Sequence, residues 1–226
     1  MSKSFDDLLA KVSQCSRKTV SVAVAQDAPI LEAVKAAKEK GIADAILVGD
    51  EAKIREVADQ IGMDLTGYEI VNEPDDIEAS LKAVKLVHDH KADMYMKGLL
   101  STKDFLKSVL NKEVGLRNGK PLSHVCVFEI PGIDRLLYLT DVAFMTYPSL
   151  EEKKSIIENS VEVAHACGIP CPKVAPLAAV EVVNPKMPVT VEAAELTKMN
   201  ENGEITGCIV DGPLSMDLAI EPEAGI

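Results

Sequence analysis

The chain has 226 residues, of which 47% are hydrophobic and only 4% aromatic, a composition that suits the large aliphatic core of a layered α/β protein. Its formal net charge of -12 argues against a nucleic-acid partner, which would need a basic surface, and against binding to an anionic membrane. An anionic substrate would therefore need a local site made of a few cations and backbone N–H groups.

Short apolar runs typical of buried strands alternate with helical patterns in the first half of the chain. The first predicted helix follows Asp27 as its N-cap, has Pro29 in its first turn and ends at Gly41, and the second follows Asp50 and ends at Gly62. Two more helices are predicted at residues 77–87 and 103–110. The strands are predicted at residues 19–25, 45–48, 68–71 and 92–96.

The second half of the chain begins after a loop-like stretch at residues 115–121, which predicts a boundary between a first lobe, residues 1–121, and a second lobe, residues 122–226. Ser149 and Glu152 have the spacing of a capping box. The predicted helices cover residues 150–167 and 191–199. The predicted strands cover residues 124–130, 136–140, 174–180 and 205–210.

The order of these elements predicts the fold class. Helices of about 10–15 residues between strands imply parallel pairing through crossover connections. We therefore expect an α/β protein with two lobes, three α/β/α layers and mostly parallel sheets. A further helix is predicted at residues 214–220 with no strand to close the crossover that it opens, so we expect C-terminal sequence to be missing.

The cysteines and the N-terminus indicate the compartment. Five scattered cysteines do not form a disulfide framework, and Cys167 and Cys171 are too isolated a pair for a zinc site. The N-terminus lacks the apolar core of a signal peptide, and no stretch approaches the roughly 18–20 apolar residues of a membrane span. We expect a reduced, cytoplasmic protein without a bound metal.

Ligands of open parallel sheets bind beyond the carboxyl ends of the strands, so the residues that follow each strand are the candidates. The first candidates lie between a predicted strand and a helix N-terminus and are Lys97, Gly98, Ser101 and Thr102. A cation, a glycine that lets the backbone approach a ligand and free N–H groups at the helix N-terminus favour the binding of phosphate there. The alternative is a turn glycine, a surface lysine and an ordinary N-cap. Neither a P-loop nor a dinucleotide-binding glycine pattern is present.

Two further candidates lie in the middle of the chain. Arg117 and Lys120, followed by Ser123 and His124, could clamp an anion or could form a solvated loop, and His124 alone would suit a core position equally well. Asp141 follows a predicted strand and could act as a base, position a substrate group or cap a turn.

The last candidates lie near the ends of the final predicted strands. Glu181 and Asn184 follow one of these strands and Asp211 follows the next. Because the carboxyl ends of parallel strands share one edge, we expect the three side chains to converge on one cleft.

Several sequence blocks occur in the order found in one enzyme family. They cover most of the chain from about residue 91 and read MYMKGLLSTKDFLKSVL, EVGLRNGKPLSHV, LTDVAF, YPSLEEKKSIIENSVEVA, PKVAPLAAVEVVNPKMPVT and GCIVDGPLSMDLAI. The chain resembles the phosphate acetyl-/butyryltransferase family, and the butyryl branch most, because LAAVEVVNPKMP stands where acetyl-specific relatives have a serine-rich run.

The resemblance implies a two-lobed fold like that of isocitrate and isopropylmalate dehydrogenases, with substrates in the cleft between the lobes. It implies that an acyl group passes between coenzyme A and inorganic phosphate by direct attack in a ternary complex. The expected partners are acyl-CoA, phosphate, acyl phosphate and a second copy of the chain in a homodimer, and no cofactor is expected to be tightly bound.

The resemblance also implies roles for the candidate residues. Lys97, Arg117 and Asp141 are the expected catalytic residues, with Lys97 and Arg117 as phosphate clamps. The expected substrate-binding residues are Gly98, Thr102, Ser123, His124, Glu181, Asn184 and Asp211.

One departure from the family leaves alternatives open. Family members continue after the Asp211-Gly212-Pro213 block into a segment with a Ser-Arg motif close to the coenzyme A thiol, and that segment is not in this sequence. A shortened paralogue that binds an anion or coenzyme A without turnover is therefore the main alternative. A hydroxyacid dehydrogenase of the same fold is weaker, since its metal-binding aspartates are not recognisable.

Overall fold

A computed structural model describes residues 2–221 of the chain. It divides into two compact units, of which one consists of residues 9–119 and the other of residues 2–8 with the described residues from 120 onward. Residues 2–8, which the sequence assigned to the first lobe, thus pack with the second unit. Where the lobes of the family begin and end stays a prediction.

The unit of residues 9–119 is built on a four-stranded parallel sheet, as the alternation of strands and helices predicted. Its strands are β1 (Lys18–Ala23), β2 (Ala43–Gly49), β3 (Glu69–Asn72) and β4 (Met94–Lys97). The helices of this half of the chain are α1 (Phe5–Val12), α2 (Ala28–Glu39), α3 (Glu51–Gln60), α4 (Asp76–His88) and α5 (Thr102–Val109). The strand order is β3-β2-β1-β4.

The sheet is covered by helices on both faces, because its strands alternate their apolar side chains between two cores. Val22 and Leu47 face one core with Leu31 of α2 and Ile54 of α3. The other face packs against α4 and α5, and its buried residues include Ala23, Ile46, Val48, Ala79 and Ala83. This arrangement gives the three α/β/α layers predicted from the sequence.

Local capping chemistry explains where two of these helices begin. Asp50 lies at the N-cap of α3, and its side chain accepts a hydrogen bond from the amide of Lys53, as the sequence predicted. Asp27 is the N-cap residue of α2 and is followed by Pro29 in the first turn, but its side chain makes no capping hydrogen bond. The start of α2 therefore depends more on proline than on Asp27.

The strand order creates a switch point between β1 and β4, because the chain leaves β1 toward β2 and returns to β4 on the other side. Here the amide of Gly98 donates to Ala23 O at 2.8 Å and the amide of Leu99 donates to Val24 O at 2.9 Å. A Cβ atom on Gly98 would lie 2.3 Å from Val24 O and 2.4 Å from Ala23 O. Gly98 thus permits this close contact of two backbone segments.

The second unit contains two small sheets, and the first of them is an exception within the mostly parallel pairing that the sequence predicted. β5 (Cys126–Glu129) and β6 (Leu136–Leu139) form an antiparallel hairpin, because only a short turn joins them. The N-terminal segment is bound to this hairpin, since Lys3 Nζ lies 2.6 Å from Asp134 Oδ2 and the amide of Phe5 donates to Glu129 Oε2.

The other sheet pairs β7 (Lys173–Val174) with β8 (Ile209–Val210) in parallel. Both strands are shorter than the predicted 174–180 and 205–210. Pro176 has no N–H to continue the first strand, and only an isolated bridge joins Leu177 to Leu214. The Asn200 side chain binds backbone groups of Ile205, Cys208 and Val210, which holds residues 205–208 outside the ladder.

Three helices complete the second unit: α6 (Leu150–Ala166), α7 (Pro188–Glu201) and α8 (Met216–Ile220). The predicted capping box of Ser149 and Glu152 is confirmed at the start of α6. The core between these helices and the small parallel sheet contains Ile157, Val161, Leu196, Ile205, Cys208 and Val210. Within residues 2–221, no helix has the length and apolar character needed to cross a membrane.

Replacing Gly98 with Ala tests the contact at the switch point. Because the new methyl group would meet two carbonyl oxygens of the neighbouring backbone, we expect the free energy of unfolding to fall by about 1–3 kcal/mol in urea titrations. Leu99→Ala is the matched control, since the Leu99 side chain is 59% exposed, and should change stability by no more than about 0.5 kcal/mol. Equal stability of the two variants would contradict this role of Gly98.

Candidate functional site

The turn between β4 and α5 presents a cation and free backbone donors at the carboxyl edge of the larger sheet. Lys97 is the last residue of β4 and is exposed, as is Thr102 at the start of α5. Ser101 is the N-cap residue, and its hydroxyl accepts a hydrogen bond from the amide of Asp104 at 3.1 Å. Within residues 2–221 the amides of Thr102 and Lys103 have no acceptor. The turn can therefore donate hydrogen bonds to an anion.

A carboxylate in the first turn of α5 limits where an anion can sit. Asp104 accepts a hydrogen bond from the Ser101 hydroxyl at 2.7 Å, and Lys107 lies 3.4 Å from it. The Ser101 hydroxyl, and to a smaller extent Lys107, lower the pKa of the Asp104 carboxyl. The negative charge of Asp104 would repel an anion, so the side of the turn that carries Lys97 is the favourable one.

The end of β1 contributes a feature that the sequence did not reveal. Val24 follows β1 with φ of 56°, which is rare for a β-branched residue. Hydrogen bonds impose this conformation from two sides, since Val24 O accepts from Leu99 and the amide of Ala25 donates to Val48 O. A strained residue here adjoins the turn that carries Lys97. The hydrophobicity of Val24 gave no sign of this, because the residue reads as part of the strand.

Gln26 also lies at the carboxyl edge of the sheet. The sequence analysis assigned it no role, because it stands between the predicted strand and the N-cap residue Asp27. Its side chain extends over the end of β2, where a Cβ atom on Gly49 would lie 2.1 Å from Gln26 Oε1. Gln26 Nε2 donates to Asp76 Oδ1 at 3.4 Å, and the buried Oε1 atom has no hydrogen-bond donor in the described part of the chain. The predicted strand continued to residue 25, whereas β1 ends at Ala23. With the correct end, Gln26 would have been a candidate, because ligand-binding residues follow the strands of a parallel sheet.

Arg117 does not lie beside Lys97, although both were predicted to clamp the same anion. It lines a cavity together with Ala92 and Asp93, which immediately precede β4, whereas Lys97 ends that strand. The two cations are therefore at opposite edges of the sheet. The reason is the direction of α5, which runs back along the sheet and carries the following loop to the amino edge.

In the second unit, Ser123, His124 and Asp141 lie close together, but they are linked through the backbone. Asp141 Oδ2 accepts from the amide of His124 at 2.9 Å, and Ser123 Oγ accepts from Asn159 Nδ2 at 2.9 Å. The His124 ring packs against Phe144, with 5.6 Å between the ring centroids. His124 and Asp141 thus do not form a side-chain pair for proton transfer.

Asp141 has the geometry of a turn cap. Its Oδ1 atom accepts from the amides of Ala143 and Phe144, both at 2.8 Å. Partial burial raises the pKa of the carboxyl, but the surrounding backbone amides outweigh that effect and hold the pKa below its ordinary value. A carboxylate held in this way is a weaker base than a free one. The catalytic role predicted for Asp141 stays a prediction.

Glu181, Asn184 and Asp211 are not joined by any described contact. Glu181 is exposed in a loop beyond the shortened β7, and Asn184 Oδ1 accepts from the amide of Lys186 in the turn before α7. Asp211 directly follows β8, and its amide donates to Val174 O at 3.0 Å. Of the three, only Asp211 occupies the strand-end position that the sequence predicted.

Comparison with known proteins places these features in a family. A family model described as phosphate acetyl/butaryl transferase matches residues 4–79 and 75–225. A phosphate butyryltransferase of Clostridium acetobutylicum is 62% identical over 224 residues, which are 99% of this chain and 74% of that protein. A phosphate acetyltransferase of Thermotoga maritima is 39% identical over 220 residues, which are 97% of this chain and 74% of that protein. The resemblance found in the ordered motifs is confirmed.

Solved structures agree with the fold. A branched-chain phosphotransacylase from Enterococcus faecalis V583 superimposes with a TM-score of 0.77 at 34% identity, covering 92% of this chain and 72% of that one. A phosphotransacetylase from Streptococcus pyogenes gives a TM-score of 0.79 at 21% identity, covering 98% and 76% of the two chains. At that lower identity the likeness concerns the fold alone.

Replacing Asp141 with Ala tests its role as a turn cap. Because backbone amides of the turn would lose their charged acceptor, we expect the free energy of unfolding at pH 7 to fall by about 1–3 kcal/mol. The folded pKa is lowered, so the stabilisation is present above the unfolded value of about 3.9 and is lost as the pH falls through the folded pKa. Urea unfolding from pH 7 to pH 3 should show the two proteins converging.

The exposed Glu204 provides a control for this experiment, because Glu204→Ala should alter stability by no more than about 0.5 kcal/mol. A difference between wild type and Asp141→Ala that persists unchanged at pH 3 would rule out the charged cap.

Proposed function

Because this chain belongs to the phosphate acetyl/butyryl transferase family, we propose that it catalyses the reversible transfer of a short-chain acyl group between coenzyme A and inorganic phosphate. The observation that carries the proposal is the 62% identity to a phosphate butyryltransferase over 99% of the chain. The same relative supports a butyryl-type acyl group, and the likeness to a branched-chain phosphotransacylase supports branched acyl groups as well.

The reaction needs two reactants held in line and a place for negative charge. A phosphate oxygen attacks the carbonyl carbon of the thioester, a C–O bond forms, the C–S bond breaks, and coenzyme A leaves with its sulfur as thiolate. Both phosphate and the tetrahedral intermediate carry negative charge, so fixed cations and N–H donors accelerate the step. The chain offers the Lys97 ammonium and the free amides of Thr102 and Lys103 for this purpose.

The distribution of charge supports the carboxyl edge of the larger sheet as the phosphate site. In a chain of net charge -12, a phosphate dianion would be repelled by most of the surface. Lys97 pairs with no described carboxylate, so its charge remains available, and the N-terminal amides of α5 add partial positive charge. Gly98 contributes by fixing the turn, since its backbone rests against the end of β1.

The proposal includes a cytoplasmic homodimer whose substrates are acyl-CoA, phosphate and acyl phosphate, with no tightly bound cofactor and no membrane or nucleic-acid partner. The acidic composition supports the last point, because binding to nucleic acid would need a basic surface. Resemblance to the family supports the dimer and the substrates. Glu181, Asn184 and Asp211 are proposed to contact substrate in the second unit, together with Ser123 and His124.

The direct test follows thiol release from butyryl-CoA, with and without phosphate, and trapping of the acyl phosphate by hydroxylamine. We expect release that depends on phosphate and a matching yield of hydroxamate. Binding of coenzyme A without any release would favour the alternative of a non-catalytic binding protein. An NAD-linked absorbance change with a hydroxyacid, in the absence of thiol release, would favour the dehydrogenase.

Replacing Lys97 with Ala tests the phosphate site. Loss of a charge-assisted contact to phosphate should raise the KM for phosphate about tenfold or more while the KM for butyryl-CoA changes little. Lys112→Ala removes an exposed charge from the loop after α5 and should leave both constants near those of the wild type. Equal phosphate KM values for the Lys97 variant and the wild type would contradict the placement of phosphate at Lys97. They would not affect the proposal that the chain transfers acyl groups.

A further inference from the structure

A cavity of about 490 Å³ lies at the amino edge of the larger sheet, the edge opposite to Lys97. It lies between the last turn of α4, the residues that precede β4 and the loop that follows α5. It is open to solvent, so a ligand bound there would remain partly exposed. It is lined by Val87, His88, His90, Ala92, Asp93, Gly115, Leu116 and Arg117.

The loop that carries Arg117 into this cavity is held by its own hydrogen bonds. The side chain of Asn111 accepts from the amides of Glu113 and Val114, at 2.8 and 3.0 Å, and the amide of Leu116 donates to Val109 O at 2.8 Å. A Cβ atom on Gly115 would lie 2.3 Å from Asn111 O. The backbone beneath Arg117 is therefore fixed before any ligand arrives, which lowers the entropic cost of binding.

Arg117 differs from the other arginines of the chain. The sequence has four, and three of them bind oxygen atoms of the chain: Arg17 binds Asp44, Arg55 binds Glu51, and Arg135 binds the carbonyl of Ile220. The guanidinium of Arg117 makes no hydrogen bond or ion pair with any residue in 2–221, and it is exposed. The guanidinium of Arg117, a residue that lines the cavity, is a planar fork of N–H donors that matches the geometry of phosphate or carboxylate.

The acidic groups near this cavity do not neutralise Arg117, because each has other partners. Asp93 accepts from Lys18 Nζ at 3.0 Å and from the amide of Thr19 at 2.9 Å. Asp89 lies 2.5 Å from Lys85 Nζ and 3.0 Å from His88 Nδ1. Lys85, followed by His88, lowers the pKa of the Asp89 carboxyl to about 2. The charge left over at the cavity is therefore positive.

His90 occupies a backbone position where glycine is normally found. Its φ is 57°, and it follows the C-cap of α4 in a Schellman motif, with the amide of Lys91 bonded to Leu86 O and the amide of His90 bonded to Val87 O. Glycine would avoid the strain of this conformation, which histidine must bear. His90, whose side chain has no hydrogen-bond partner among the described residues, lines the same cavity as Arg117.

We propose that this cavity is a second ligand site, separate from the acyl-transfer site, that binds a small phosphate monoester with a short apolar body. Arg117 holds the phosphate group as a bidentate donor, and His90 donates a further hydrogen bond to it. Val87, Ala92 and Leu116 provide the apolar wall for the organic part. The C-terminal dipole of α4 opposes an anion here, and the guanidinium charge outweighs that partial charge.

The proposal can be tested with phenyl phosphate as the probe, using the amide spectrum of the ¹⁵N-labelled chain of 226 residues. Saturable shifts should appear at Ala92, Gly115 and Leu116. Inorganic phosphate lacks the apolar body and phenol lacks the anion, so both should bind at the cavity at least tenfold more weakly. Shifts confined to residues 97–102 would place the probe at the acyl-transfer site and overturn the proposal.

Variants separate binding from folding. Arg117→Ala should weaken phenyl phosphate binding about tenfold or more, whereas Lys112→Ala, which removes a charge from the same loop outside the cavity, should leave it unchanged. His90→Gly should weaken binding while it raises Tm by about 2–4 °C, because backbone strain is relieved. Binding that survives in both Arg117→Ala and His90→Gly would refute the site.

The two proposals fail independently. Absence of acyl transfer would leave the amide shifts at residues 92, 115 and 116 unaffected. Conversely, a cavity that binds no phenyl phosphate would leave the phosphate dependence of thiol release as it is.

Discussion

The contact between the ends of β1 and β4 is the constraint on which the rest of the larger unit depends. Two backbone hydrogen bonds join these segments, and the missing side chain of Gly98 is what allows the carbonyl oxygens of Ala23 and Val24 to come so near. The contact fixes β4 at its place next to β1, where the direction of winding reverses. It also imposes the left-handed conformation of Val24 and the outward position of Lys97. The strained backbone of Val24 therefore lies next to the turn proposed to bind phosphate.

The role of Gly98 in the structure differs from the role that the sequence predicted. In the sequence, a glycine before a helix N-terminus indicates that a ligand comes close to the backbone. In the structure the space beside its Cα atom is taken by the chain itself, and the surface open to an anion lies at the Lys97 side chain and the first amides of α5. The glycine acts on the site indirectly, through the rigidity of the turn.

The sequence predicted the helices and strands that have a regular apolar pattern. It did not predict the exact end of β7 or the edge of the sheet at which Arg117 lies. Strands and helices of residues 9–119 were found because each combines an apolar pattern with a cap or a glycine stop, as at Asp50. The predicted β7 was too long because Val174 to Val180 has the hydrophobicity of a strand, although Pro176, which has no N–H for the ladder, marks the interruption in the sequence itself. Arg117 was expected beside Lys97 although it follows a helix and not a strand, and a crossover helix of a parallel sheet returns the chain to the amino edge.

The pairing of cations explains how so acidic a chain can attract anions at all. Several of the described lysines and arginines are bound to a carboxylate, so the fields of these cations are cancelled within a few ångströms. Lys97 and Arg117 are two of the described cations without a carboxylate partner, and each has further donors close by: the first amides of α5 for Lys97, and His90 in the same cavity for Arg117. They lie at opposite edges of one sheet, and β4 separates them. Two anions could therefore bind at the same time without sharing a cation, which makes independent occupancy the expected behaviour of the two sites.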